Sequence, residues 1–389
     1  MYTLLLKIKS TVTDYLHQNL LNEDPMKMVR VLGSDIYQTR IGKFVLKFTL
    51  IFYLALLVAQ LYFFFLAATI ENLINHAPLF LQMCYAEFAI TVLLYKNKIV
   101  EQVMEVIDLW EIDSAGEETK QRITKESRRI NMFVAINTIL AVTWATTHLF
   151  HEATETVFVR YIFDLLFPRQ ADFLFILFNL TLYVATFVMI AHSYEVIYAT
   201  QHVKFQIYMC KTFIQAMTDG TDFEEMLIYN ADYQDLIDSR LKFLINRHCD
   251  FIRWRDNALL VMKNLIVPFT FGAIIITTSI ALTLLQDTIP SRSCLFAVWA
   301  LFTITSLITA GHFLEHESEK MLESFSIPKW YTWNIKNKKL LLTILTNTTR
   351  PISIKFTDSF IINFTLFAFI GKTLYSIVSL FLSTKIGKH

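Results

Sequence analysis

The sequence has little charge, glycine or proline for its length. Only 18% of its 389 residues are Asp, Glu, Lys or Arg, where a soluble chain carries about 25%. The 8 glycines and 7 prolines exclude a collagen-like chain, and the low charge excludes an intrinsically disordered one. With 4 cysteines the chain is not a disulfide scaffold. The net charge of +1 gives no reason to expect nucleic acid as a partner.

Apolar residues are in excess instead. They make up 54% of the chain, 34 residues are Phe, and the mean hydropathy is +0.43. A helix that crosses a bilayer needs about 20 mainly apolar residues. Suitable stretches lie at 44–68, 77–95, 131–150, 173–198, 258–285, 293–313 and 356–382. We therefore predict an all-α fold, with residues 1–389 forming a single bundle of seven membrane-spanning helices. Counts of six or eight spans stay open as alternatives.

The distribution of Lys and Arg predicts the orientation of the bundle. Of the 35 basic residues, 29 lie on one side, before the first span, in the segments 96–130, 199–257 and 314–355, or just inside a neighbouring span. Five lie on the other side, and Lys372 lies within the seventh span. Because basic loops remain in the cytoplasm, we expect a cytoplasmic amino terminus and an extracellular carboxyl terminus.

Two of the cytoplasmic segments are long and have helical character. Residues 199–257 contain one glycine, no proline, and apolar residues close to a 3.6-residue period. This pattern indicates that spans four and five continue as helices below the membrane and pack together there. We predict a cytoplasmic helical anchor at about residues 199–257 and 314–350.

No motif in the sequence indicates catalysis or a bound cofactor. The pairs His148/His151 and His312/His316 have a spacing that can bind a metal on a helix. The charge distribution places the two pairs on opposite sides of the membrane, whereas the histidines of one metal site would lie together on one side. We therefore interpret them as histidines at the membrane interface. We predict no catalytic residues, no metal and no cofactor, and we do not expect an enzyme.

Aromatic and polar side chains alternate in the outer halves of spans two, three, four and six. An apolar cavity with a few hydrogen-bonding groups is the usual form of a small-molecule site. The alternative is that these rings face lipid or pack between helices. The predicted ligand-binding residues, which we expect to hold a small, volatile, largely apolar molecule, are Phe80, Met83, Cys84, Thr143, Trp144, Thr147, Asn179, Tyr183, Phe187, Trp299 and Phe302.

Lys372 is the charged residue deepest in a predicted span. It lies about ten residues from the outer end of span seven, which is roughly 15 Å of helix. Its amine must therefore face water, a carboxylate or backbone carbonyls. Two roles are open: a tether to a neighbouring helix, and a position beside a water-filled pathway.

About the last 60 residues carry recognisable motifs. These are Trp330-Tyr331, the basic segment Lys336–Thr346, Arg350-Pro351, and residues 372–382, which read K-T-L-Y-S-I-V-S-L-F-L. Together with the length, the seven spans and the inverted orientation, they resemble the insect odorant receptors. In the related gustatory receptors and the odorant co-receptor, a Tyr is followed six residues later by Gln. Here Tyr375 is followed by Phe381, so the chain is more similar to a ligand-tuning odorant receptor.

The resemblance implies a ligand-gated, poorly selective cation channel. It implies four subunits, including an odorant co-receptor, around a pore lined by the last span, in the plasma membrane of a sensory-neuron dendrite. The partners are then the co-receptor, a small volatile odorant, permeating cations and membrane lipids. Counted from Tyr375, the apolar constriction of the family falls on Val378 and Leu382, and Lys372 and Tyr375 belong to the same pore region.

Other function classes are open from the residues alone. A G-protein-coupled receptor has the opposite orientation, and a gustatory-type receptor channel shares the predicted one. A small-solute transporter would show paired broken helices, whereas only Pro268 and Gly272 interrupt a span here. A lipid-modifying enzyme would need a converging acid–base or metal set.

The orientation yields a direct prediction. An epitope at Met1 should stain only in permeabilised cells, because the basic segments place the amino terminus in the cytoplasm. Staining of intact cells at that epitope would overturn both the orientation and the family resemblance.

Overall fold

The computed structural model of the chain describes residues 24–66, 70–95, 99–107, 109–150, 154–218, 228–263, 266–284, 291–357 and 360–386. Within these ranges the regular secondary structure is helical apart from one short hairpin, β1 (Lys355–Thr357) and β2 (Phe360–Ile361). The helices are α1 (Lys27–Arg30), α2 (Ile36–Gln38), α3 (Arg40–Leu66), α4 (Ile70–Tyr95), α5 (Ile99–Met104), α6 (Glu117–Phe150), α7 (Thr154–Leu166), α8 (Ala171–Gln215), α9 (Ala231–Lys263), α10 (Ile266–Leu284), α11 (Ser291–Ser324), α12 (Ile335–Thr348) and α13 (Phe364–Ile386).

Each of the seven predicted spans overlaps a helix. In chain order these helices are α3, α4, α6, α8, α10, α11 and α13. Among the described residues, α3, α4, α6, α8 and α11 are each long and apolar enough to cross a membrane, and α10 contains a shorter apolar stretch, Gly272–Thr283. The predicted class, an all-α membrane bundle, is confirmed. After the predicted orientation, we call the end at which α8 and α11 begin the outer end, and the opposite end the inner end.

The structure differs from the predicted boundaries at several places. Residues 258–263, predicted as the start of the fifth span, belong to α9, and α10 begins at Ile266. The seventh span was expected from residue 356, but its helix begins at Phe364, after the hairpin. Asn363 starts this helix, because its Oδ1 accepts from the backbone N–H of Thr365 at 3.0 Å. The segment 151–172, which lies between the third and fourth predicted spans, contains α7, and α7 packs its apolar face against α4 and α8.

Helix α8 lies at the centre of the bundle. It packs against α4, α6, α7 and α11, and every residue from Val188 to Cys210 is buried. A helix that is covered all round must find partners for each polar side chain it carries, because water cannot supply them.

Several buried polar side chains of α8 have partners within the bundle. His192 and Glu195, each almost fully buried, lie 2.9 Å apart. The Tyr194 hydroxyl donates to the Val134 carbonyl of α6 at 3.2 Å. Nearer the inner end, the Lys204 amine lies 2.8 Å from the Glu126 carboxylate of α6.

Asp24 ties the start of the described chain to the same helix. Its carboxylate accepts from the Tyr198 hydroxyl at 2.7 Å and lies 3.1 Å from Nε2 of His202. Burial alone raises the pKa of this carboxyl, but the hydrogen bonds and charge of its neighbours outweigh that effect and lower the pKa to about 2. The segment before α3 is therefore held against α8 by an ionised carboxylate.

The inner-end helices α9 and α12 are joined by a buried amide. Gln234 of α9 donates from Nε2 to the Thr332 carbonyl at 3.0 Å, and its Oε1 accepts from Nδ2 of Asn337 at 2.9 Å. Trp254 and Trp333 are buried in the core beside it. At the edge of this contact, the Lys336 amine lies 3.0 Å from the Asp238 carboxylate.

Gly311 allows α11 to lie directly against the chain that leads into α13. A Cβ at this position would overlap the carbonyl oxygen of Ile362. The approach is fixed from the other side as well, because the N–H of Ile362 donates to the Ile354 carbonyl at 3.0 Å. A Cβ added to Gly371 of α13 would meet no neighbouring atom within 4 Å.

These two glycines make a matched pair. We predict that Gly311→Ala destabilises the protein by about 1–3 kcal/mol, since a backbone carbonyl must move to admit the methyl group. Gly371→Ala should be neutral or slightly stabilising, because alanine is the better helix former. Thermal unfolding of the two purified variants measures the difference. Equal midpoints would contradict the close approach.

Candidate ligand-binding site

A cavity of about 450 Å³ lies between α4, α8, α10, α11 and α13. It follows α11 from Phe296 to Ile308, which is about 18 Å of helix. Its apolar wall includes Phe269, Ile276, Phe296, Trp299, Leu307, Leu366, Phe369 and Ile370. Its polar side chains are Tyr85, Ser193, Thr270 and Thr303. The cavity is therefore mainly apolar and has a few hydrogen-bonding groups.

Tyr85 and Gly272 shape the wall between α4 and α10. The tyrosine ring lies so close to the backbone of α10 that a Cβ on Gly272 would overlap it. The hydroxyl of Tyr85 reaches across to the carbonyl of Met189 on α8, at 3.4 Å. Ser279 joins the same two helices further out, since its hydroxyl accepts from Nε2 of Gln82 at 3.1 Å.

Two aromatic rings of α11 form the outer part of the cavity wall, and a third ring packs behind them. The ring centroids of Phe296 and Trp299 lie 5.7 Å apart on α11. Trp144 of α6 packs behind both, at 5.7 Å from Trp299 and 5.4 Å from Phe296. These separations are within the range for favourable aromatic pairs. A rigid cluster of this kind gives a flat apolar surface to whatever occupies the cavity.

A buried hydrogen-bond network connects the cavity to α6 and α8. The hydroxyl of Thr303 donates to Oδ1 of Asn137 at 3.0 Å, and Nδ2 of Asn137 donates to the hydroxyl of Tyr194 at 3.1 Å. Asn137 is completely buried. Through this network, the cavity wall on α11 is held in a fixed position relative to the two neighbouring helices.

Of the predicted ligand-binding residues, Trp299 lines this cavity and Trp144 supports it. Phe302 is turned away, because its ring stacks on Phe133 of α6 at 4.0 Å.

Three other predicted residues, on α6 and α8, make contacts outside the lining of this cavity. Thr143 is exposed and its hydroxyl donates to the Ile139 carbonyl, and the hydroxyl of Thr147 donates to the Trp144 carbonyl at 2.6 Å. The Tyr183 hydroxyl lies 2.9 Å from that of Thr146.

A further group of predicted residues lies outside the lining of this cavity. Phe80 packs edge-on against Phe64, and Met83 accepts a long contact, 4.0 Å, from Nε2 of Gln60. The other members of the group are Cys84, Asn179 and Phe187, of which Asn179 is buried and the other two are half-buried. Their part in ligand binding stays a prediction.

The predicted pore residues lie on α13. Lys372 and Tyr375 are exposed, and Tyr375 has 74% of its surface accessible. Val378 and Leu382 are part of the helix, but their side chains lie outside the described residues. Leu366, Phe369 and Ile370 of this helix line the cavity.

Sequence reasoning missed Tyr85, Ser193, Phe296 and most of the wall formed by α10 and α13. One signal was present: Gly272 interrupts an apolar span, and a glycine at such a point marks a close approach. The other missed residues have no distinguishing pattern, because their spans are apolar on every face.

Two solved structures share this architecture. One is the insect olfactory receptor OR5 from Machilis hrabei, with a TM-score of 0.67 at 10% identity, over 95% of this chain and 100% of that chain. The chain has the insect olfactory receptor fold. The same receptor in complex with eugenol matches with a TM-score of 0.64 at 9% identity and the same coverage. No protein-family model and no curated protein sequence matches the chain.

The hydrogen-bond network at this cavity yields a prediction. Thr303→Val keeps the side-chain shape but leaves Oδ1 of Asn137 without this donor, which should cost about 1–3 kcal/mol of stability. Thr277→Val is the matched control, since the described hydrogen bonds of that hydroxyl run to carbonyls of its own helix. Thermal unfolding compares the two. A smaller loss for Thr303→Val than for the control would contradict the network.

Proposed function

We propose that the chain is a subunit of an odorant-gated, non-selective cation channel. The observation that carries this proposal is the apolar cavity, found in a fold shared over 95% of the chain with insect olfactory receptor structures. One of those structures is a complex with eugenol, a small aromatic molecule. We extend that kind of ligand to this chain.

The dimensions and chemistry of the cavity support a small apolar ligand. A volume of about 450 Å³ is within the usual range for ligand pockets, which are mostly apolar with a few polar groups that fix orientation. The aromatic wall of Trp299 and Phe296 favours a ligand that contains a ring, because offset ring contacts add about 0.5–1.5 kcal/mol to the burial of apolar surface. Thr303 and Ser193 supply hydrogen bonds.

The cavity also suggests how binding opens a pore. Its wall includes Phe369 and Ile370 of α13, the helix that carries Val378 and Leu382 further out. Those two residues are spaced i, i+4 and therefore share a face of the helix. In a tetramer, rings of Val378 and Leu382 around the axis would block ions by excluding water. A ligand that displaces α13 outward would widen and hydrate this constriction.

Exposed apolar side chains at the inner end support assembly with other subunits. Leu342 and Ile335 of α12 are 63% and 75% exposed, and Trp330 and Tyr331 before it are about half exposed. Apolar surface of this kind commonly marks an interface. We propose that α9 and α12 form the anchor through which this subunit joins an odorant co-receptor, in the plasma membrane of a sensory neuron.

Recording odorant-evoked current with and without a co-receptor tests the function. We predict current only on co-expression. We also predict that Ala300→Phe weakens the odorant response at least tenfold, because the added ring occupies cavity space that the ligand needs. Val298→Phe is the control, since Val298 is on the exposed side of α11. An unchanged response in a well-expressed Ala300→Phe variant would place the ligand elsewhere. A response that needs G proteins and no channel partner would contradict the proposed function.

A further inference from the structure

A second cavity, of about 500 Å³, lies at the inner end between α6, α8 and α11. It differs from the ligand cavity in its chemistry, because charged side chains line a large part of it. Four basic residues line it, namely Arg122, Arg129, Lys204 and Lys320. The lining carboxylates are Glu126 and Glu317, so the cavity has an excess of two positive charges.

The charged and apolar side chains of this cavity are segregated along the helix axes. On α6, Arg122 and Arg129 lie toward the inner end, and Phe133 follows on the outer side. On α11 the order is the same, with Lys320 at the inner end and Phe313 further out. Phe313 is 46% exposed. The cavity is therefore cationic at its inner end, and its outer part combines apolar side chains with the hydroxyls of Thr305, Ser306 and Thr309.

The two carboxylates are already engaged by neighbouring cations. Glu126 accepts from Lys204 at 2.8 Å, and Glu317 lies 2.9 Å from the amine of Lys211 and 3.1 Å from the guanidinium of Arg122. These pairs satisfy the acids and hold the three helices together.

Arg129 and Lys320 are the basic groups that remain available. Arg129 is exposed and makes no ion pair among the described residues, and Lys320 lies a full 4.0 Å from Glu317. Both line the open space of the cavity rather than its closed ion pairs.

We propose that this cavity binds the headgroup of an anionic phospholipid, with its phosphate at Arg129 and Lys320 and an acyl chain along Phe133 and Phe313. A phosphate compound in solution has the same anionic chemistry, but it would leave the apolar side chains of the outer part uncovered. The leaflet at this end is the cytoplasmic one in the predicted orientation, and anionic lipids are concentrated there.

The full-length protein in lipid nanodiscs provides the test. One nanodisc contains phosphatidylcholine alone, a second adds phosphatidylserine, and a third adds phosphatidylinositol bisphosphate. A fourth sample keeps phosphatidylcholine alone and receives soluble inositol trisphosphate. Native mass spectrometry then measures which molecules stay bound after transfer to detergent. We expect retention of an anionic phospholipid. Retention of the soluble phosphate alone, or of neither, would overturn the proposal.

Variants distinguish lipid binding in this cavity from general attraction of lipid to basic residues on the surface. Arg129→Ala with Lys320→Ala should weaken lipid retention about 25-fold, since each basic group near a membrane contributes roughly fivefold. The charge-conserving pair Arg129→Lys with Lys320→Arg should retain most of it. Lys125→Ala with Arg128→Ala is the control, because both residues are exposed on α6 and neither lines the cavity. An equal loss in the control would overturn the assignment to this cavity.

Discussion

The fold depends on the polar side chains that α8 carries in the middle of the protein. Tyr194 and Lys204 are both buried, and each reaches a partner on α6. A buried hydroxyl costs free energy unless it is hydrogen-bonded, and a buried amine costs more unless it is paired. The position and rotation of α6 relative to α8 therefore follow from these contacts. Thr303 extends the same network through Asn137 to α11.

Helix α13 packs against the bundle mainly through apolar contacts, unlike α8. We therefore propose that α13 is the helix that moves when the channel opens. The described hydrogen bonds of its Thr373 and Ser376 side chains run to carbonyls of the same helix. Its contacts with the rest of the bundle are mainly apolar, through Phe369 and Ile370 at the cavity wall. Apolar contacts have no direction, so a helix held by them shifts at lower cost than one held by buried hydrogen bonds. The cavity lies between the helices joined by buried hydrogen bonds, α8 and α11, and the helix held by apolar contacts, α13.

The sequence predicted the helices well because hydropathy and length are strong signals for membrane spans. Trp299 and Trp144, predicted because aromatic residues interleaved with hydroxyl groups indicate a cavity, lie at the cavity of the structure, and their part in ligand binding stays a prediction. The sequence did not distinguish the rest of the cavity wall, because the spans are apolar all round and periodicity does not separate lipid-facing from buried positions. Phe173 and Phe178 illustrate this: both are in the same predicted span, and one is 66% exposed while the other is completely buried. The hairpin before α13 was missed because its apolar residues, Phe356, Phe360 and Ile361, resemble the start of the span.

Electron cryomicroscopy of the assembled protein, with and without an odorant that evokes current, locates both the ligand and α13. We expect ligand density between Trp299 and Gly272, and an outward displacement of α13 in the ligand-bound state. Density outside this cavity, or an open pore with α13 in its original position, would contradict the proposed gating.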